Sequence, residues 1–222
     1  MKTCRWLVIP VILLFFTSFT FAQKIGVKIG ASLADISYVS EGENFNDDLK
    51  IRAGFHAGLL AEMPLSEKLA VELGLIINQK GYRMSGSEEE DGYNYSYSGS
   101  ASVIYADIPL NIKAYFELEN DMKVFATVGP YVGAGVLGNS KYKITVDGES
   151  ESDSEKLVFG SDEDSDFKRL DYGVGVGVGV AMEKLQFGIN YNYGLANIAP
   201  GGDADNKFSN RVIGISLSYF LK

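Results

Sequence analysis

The sequence predicts an all-β chain that closes as an eight-stranded antiparallel up-and-down transmembrane β-barrel. Three observations predict it. Residues 170–195 read LDYGVGVGVGVAMEKLQFGINYNYGL, with bulky residues on one parity and glycine, alanine or polar residues on the other. That period of two belongs to strands and not helices. Each arm reaches the ~9–11 residues that a tilted strand needs to cross a bilayer. The same alternation recurs along the chain in stretches joined by alternately long and short connections, as in barrels with an even number of strands. Finally, the bulky parity is Val, Ile, Leu and Phe, and the other carries Gly, Ser, Lys, Glu and Asn. A soluble eight-stranded barrel reverses this, with apolar residues filling its interior; here the interior of a small cylinder can hold only the second set.

Taken in order, the chain opens with Lys2 and Arg5 and then an apolar run from Leu7 to Phe16. Thr20-Phe21-Ala22 places small residues before Gln23, so residues 1–22 read as a secretory signal peptide cut between Ala22 and Gln23. Residues 23–222 then form one barrel domain. Cys4, the single cysteine, leaves with the signal, so the mature chain has no disulfide and no cysteine-based metal site. The mature chain keeps 18 basic against 29 acidic residues, a net −11, which excludes the cationic footprint of a nucleic-acid binder.

The expected strands are residues 24–33, 52–63, 69–80, 102–116, 123–137, the two arms 170–182 and 185–195, and 210–222. The short turns are Pro64–Lys68, Glu117–Met122 and Glu183–Lys184. The long loops are about 35–51, 81–101, 138–168 and 199–209, and the third of them carries nine acids and four lysines. With short turns in the periplasm, both termini are periplasmic and the long loops face the exterior. Closure follows from the solvent: in hydrocarbon an open sheet edge leaves a row of backbone groups unpaired, at several kcal/mol each. Pro109 and Pro130 cannot donate to the ladder and fall nearly opposite each other, so a bulge or widened pairing is expected there. Phe116, Phe187 and Tyr219 near the short turns, and Tyr172, Tyr191 and Tyr193 near the long loops, read as two interfacial girdles.

Several stretches resemble the outer-membrane β-barrel family of the PorT-like type, among the small OmpA- and OmpX-like barrels. They are GFHAGLLAEMPLSEKLAVELGLIINQKG at 54–81, YADIPLNIKAYF at 105–116, VFATVGPYVGAGV at 124–136, DYGVGVGVGV at 171–180 and NYNYGLANI at 190–198. The close, NRVIGISLSYF at 210–220, is similar to the terminal strand that barrel-assembly machinery reads, although Leu221 and Lys222 follow Phe220. The resemblance implies a cell outer-membrane location and carries no catalytic motif.

Arg52, His56, Glu62, Glu72, Lys80, Asp107, Lys113 and Asp171 all fall on the inward parity and form a candidate lumen polar network. Two readings of them stay open: a buried network that fills the lumen with paired charge, and a narrow polar pore or ligand site. His56, the single histidine, also raises a rim hydrolase, but spacing supplies neither the nucleophile nor the orienting acid a triad needs. The glycines of GVGVGVG recur every two residues inside a strand and do not make a phosphate loop. Asp162-Glu163-Asp164-Ser165-Asp166 lacks the ligand spacing and glycine of an EF-hand and reads as a solvated acidic segment. No catalytic, cofactor or metal residue is assigned. The expected partners are outer-membrane lipid, the assembly machinery during biogenesis, and a protein or surface partner at the acidic loops of a monomeric barrel.

Overall fold

A computed structural model of the chain describes residues 24–41, 43–44, 49–90, 93–118, 122–162, 164–202 and 206–221. The expected cleavage point at Ala22 and Gln23, like Glu163 of the acidic run, lies outside the described residues. The described strands are β1 (Lys24–Ser40), β2 (Glu43–Asn44), β3 (Leu49–Lys50), β4 (Arg52–Pro64), β5 (Leu69–Glu90), β6 (Tyr93–Glu117), β7 (Met122–Val146), β8 (Glu149–Lys156), β9 (Leu170–Met182), β10 (Leu185–Gly194) and β11 (Lys207–Phe220).

Eight of them are the staves, in the order β11-β10-β9-β7-β6-β5-β4-β1, all antiparallel. β1 pairs β11 from Gly26↔Phe220 to Val39↔Lys207, which closes the ring and leaves no edge along the spanning part. The faces are inside out relative to a soluble barrel. Along β11, Val212, Ser216, Ser218 and Phe220 are buried, and Ile213, Ile215, Leu217 and Tyr219 are exposed. The six aromatic residues expected in girdles all point outward and are 39–59% exposed.

The glycine face of β9 is filled from the neighbouring strand. Phe125 pairs with Gly179, Thr127 with Gly177 and Tyr131 with Gly173. A Cβ on Gly173 would stand 2.8 Å from the Tyr131 ring, and one on Gly179 would collide with Phe125. The small residues of one strand thus seat the large ones of the next. The lumen is capped by apolar side chains at both ends. Ala70, Tyr115, Phe125 and Ala181 cluster at the short-turn end. At the long-loop end Ile36, Val103, Tyr105, Phe167, Ala196 and Ile198 cluster, with Phe159 and Phe208 packed on them.

Three of the expected loops prove to be largely strand. Residues 35–40 continue β1, residues 81–90 and 93–101 extend β5 and β6, and residues 138–146 and 149–156 form a β7–β8 hairpin. These segments lie past the apolar band, and Ser, Tyr, Gly, Lys and Glu replace the hydrophobic alternation that marks a strand. Ladder hydrogen bonds hold them: β5 and β6 pair without a shift from Gln79↔Ile104 to Glu90↔Tyr93.

The prolines interrupt the ladder without the bulge or widening expected there: pairing lapses at Leu110 and Asn111, yet a Cβ on Gly129 would stand only 2.8 Å from Asn111 Cα. Pro109 faces Tyr131, so Pro130 stands one position away, and the next pair is Ile112↔Val128 in unchanged register. The bulge lies higher, where Ile104 pairs with Leu137 and Tyr105 with Gly135. Val136 is the extra residue. It reverses the parity of β7 above it: Tyr131 and Gly133 are inward below, whereas Leu137 is 66% exposed and the odd positions above it face outward.

Candidate functional site: the lumen and the protruding sheet

The strands bring seven of the eight sequence-selected residues together in the lumen in two groups. In the lower group Lys113 on β6 lies between two carboxylates, 3.0 Å from Glu62 Oε2 on β4 and 2.7 Å from Glu72 Oε2 on β5. Its Nζ also donates to Gln186 Oε1 at 2.6 Å, and Tyr115 Oη donates to Glu62 at 2.6 Å. The ammonium stands 4.5 Å from the centre of the Phe125 ring, a cation–π contact.

The upper group repeats the plan. Lys80 on β5 is fully buried, 2.9 Å from Asp171 on β9 and 3.0 Å from Asp107 on β6. Tyr105 and Tyr131 place their rings 4.6 and 4.7 Å from its ammonium. Asn78 donates to Asp107 at 3.1 Å and Asn210 to Asp171 at 2.9 Å, so the carboxylates gain neutral donors as well. Gly133 lies against Asp107, where a Cβ would collide with the carboxylate.

His56 joins the upper group through hydroxyls. Ser32 Oγ lies 2.9 Å from its Nδ1 and Ser216 Oγ 3.0 Å from its Nε2. Ser32 donates in turn to Asn78 at 3.1 Å. Both ring nitrogens are therefore taken by serines, with no carboxylate on either, and the residue is buried deep in the barrel, away from the rim. This arrangement lacks the orienting acid of a nucleophilic triad. Arg52 stands apart, half-buried at the top of β4, with Nη1 lacking a hydrogen-bond partner among the described residues. Lys28, not among the sequence-selected residues, lines a cavity of about 80 Å³ between the two groups, with His56, Glu72 and Asn78. Its inward parity was visible in the alternation of the first strand; its place between two opposed charge clusters depends on register across the ring.

A second site was hidden by the missing strands. Beyond the last lipid-facing side chains, β5 to β8 leave the ring as a sheet with β8 at one edge and the two-residue β3 paired to β5 at the other. Register sorts this sheet into two faces. Rows Met84–Gly99–Tyr142–Asp153, Gly86–Tyr97–Ile144–Glu151 and Glu88–Tyr95–Val146–Glu149 occupy one. That face continues the lumen side and combines aromatic residues with acids. Tyr97 and Tyr142 are 41% and 50% exposed. β8, ESESDSEK, is exposed at every residue. The acidic run is less free than its composition suggests: Asp166 Oδ2 accepts from Val158 N at 2.7 Å, and Phe167 packs into the apolar cap.

The family model described as outer membrane protein beta-barrel domain matches residues 21–199. Among curated proteins, none matches the sequence significantly. Among solved structures, Neisserial surface protein A is similar at 14% identity and TM-score 0.37, over 89% of this chain and 98% of that one. Ail, the attachment invasion locus protein of Yersinia pestis, is similar at 14% identity and TM-score 0.32, over 90% and 100%. An outer membrane channel from Pseudomonas putida F1 is similar at 10% identity and TM-score 0.31, over 90% and 95%. At these values none speaks to what this chain does.

Proposed function

The chain belongs to the outer membrane protein beta-barrel domain family, and from that premise we propose that it is an interaction protein: a plugged barrel that holds an acidic, aromatic sheet outside the cell. The short turns and both termini lie in the periplasm in this reading, and the β5–β8 sheet stands beyond the outer leaflet. The observation that carries it is the sheet itself. From Ile77, the last apolar outward residue of β5, to Glu90 the strand runs on for about 40 Å at ~3.3 Å per residue. A membrane anchor alone has no use for such an extension.

Two features of the sheet support partner binding. Tyr97 and Tyr142 are large, stiff and half-exposed, as interface anchors are. Glu149, Glu151, Asp153 and Glu155 lie on the same face of β8 by register, and select a basic partner surface. The lumen supports the reading from the other side, because an eight-stranded barrel has room only for side chains and Lys80 and Lys113 fill it with their carboxylates. A test is binding to intact cells. Tyr97→Ser with Tyr142→Ser is expected to abolish partner binding while the barrel still shows the heat-dependent shift of a folded stave ring on gels. Unchanged binding by that double variant removes the proposal.

A further inference from the structure

The opposite face of the same sheet carries a different chemistry. One cross-strand row reads Lys50↔Arg83↔Ser100↔Lys141↔Ser154, and the next reads Ser85↔Ser98↔Lys143↔Ser152. Four cations and five serine hydroxyls line a groove of about 840 Å³. Neighbouring strands are ~4.8 Å apart and alternate residues ~7 Å, so the four cations fall within a patch of about 14 by 7 Å. Arg83, Lys141 and Lys143 take no salt bridge among the described residues, and Lys50 donates to Ser85 Oγ. Asp153, the acid at the groove's edge, accepts from Ser154 N at 2.7 Å. In a chain of net charge −9 this concentration of unpaired cations is a local exception.

Its direction says what fills it. Arg83 and Ser85 share the parity of Leu75 and Ile77 on β5, and Ser98 and Ser100 that of Ile108 and Leu110 on β6; those leucines and isoleucines are 40–53% exposed on the lipid side. On β7 the Val136 bulge turns Lys141 and Lys143 to this side; without it they would face the axis with the acids. Lys141 stands four residues above the exposed Leu137, or about 10 Å higher once strand tilt is allowed for. The groove therefore looks onto the headgroup layer beside the barrel.

We infer that this groove binds the phosphate groups of a phosphorylated-sugar lipid of the outer leaflet, with Arg83, Lys141 and Lys143 pairing the phosphates and the serines donating to them. The inference rests on the proposed outward placement of the sheet but not on any protein partner of its aromatic face. Guanidinium and ammonium groups recognise phosphate through charge-assisted hydrogen bonds, and Lys141 and Lys143, about 7 Å apart and so within a Debye length at physiological salt, act together on one polyanionic headgroup.

The test uses the full barrel in nanodiscs with a bisphosphorylated diglucosamine lipid, its dephosphorylated analogue, or no glycolipid. Bound glycolipid is counted by native mass spectrometry after detergent exchange. The wild-type barrel is expected to retain the phosphorylated lipid and not the analogue. Arg83→Gln with Lys141→Gln and Lys143→Gln is expected to lose retention at least about tenfold, and Lys141→Arg with Lys143→Arg to keep it. Folding of each variant is read from the heat-dependent gel shift, so a misfolded triple variant is replaced by the single Arg83→Gln. Equal retention of both lipids, or unchanged retention by a folded neutral variant, overturns the inference. So does binding of free glucosamine 1,6-bisphosphate as tightly as the lipid, which would make the site one for soluble sugar phosphates. Tyr97→Ser, which lies outside the groove, leaves retention unchanged, so this inference and the partner proposal fail separately.

Discussion

Lys80 Nζ lies 2.9 Å from Asp171 Oδ2, across 91 residues of sequence, with neither side chain exposed to solvent. The pair joins β5 to β9 across the lumen, and Asp107 on β6 completes it. Replacing Lys80 by Met leaves two buried carboxylates with no counter-ion, a change that costs about 3–5 kcal/mol when one partner of a buried pair is lost. Lys113→Met is expected to do the same to Glu62 and Glu72. Urea titration of the barrel in micelles measures both losses. A Lys80→Met barrel as stable as wild type contradicts the network.

Those charges also set the transport behaviour expected of the barrel. Planar bilayers containing the wild-type chain should show no steady unitary conductance. Shortening one plug in Lys80→Ala with Asp171→Ala should raise transient conductance before the barrel unfolds. Steady openings in the wild type contradict the plugged lumen.

Overpacking tests the seating of β7 on β9. A leucine at Gly179 must displace Phe125, and a valine at Gly133 must displace Asp107. Each is expected to destabilise the barrel by about 1–3 kcal/mol in the same titration. Gly201, at the edge of the last loop with nothing within 4 Å of an added Cβ, has φ +64; an Asn there should be nearly neutral, since Asn tolerates the left-handed region.

The lipid-facing side has its own prediction. Val176 stands at the middle of β9 and is 51% exposed on the outward face. Arginine there is expected to cost about 2–4 kcal/mol of folding into a bilayer, and far less at Leu170 near the end of the strand. Depth-independent costs would mean that this face does not meet hydrocarbon.

The spanning barrel was legible in the sequence because hydrocarbon forces a strict period of two: Val174, Val176 and Val178 must all face out, and the glycines between them must face in. The lumen residues were legible for the same reason, since parity alone puts Lys80 and Asp107 inside. Their pairing was not, because it depends on register accumulated across several strands. The protruding sheet was invisible for a different reason. Hydrocarbon faces neither side of it, so nothing forces apolar alternation on Ser85, Ser87, Ser96 or Ser98, and a polar strand reads as a loop. The Val136 bulge leaves no local signal at all, yet it decides which way Lys141 and Lys143 point.

Accessible-cysteine labelling on whole cells tests the central claim most directly, because residues 23–222 contain no cysteine and a Cys4→Ser background removes the single one the chain has. Ser152→Cys on β8 should react with a membrane-impermeant maleimide on intact cells, and Ser66→Cys in the turn after β4 should react only once the outer membrane is broken. The reverse pattern, or equal labelling of both on intact cells, would contradict a barrel that carries its acidic sheet outside.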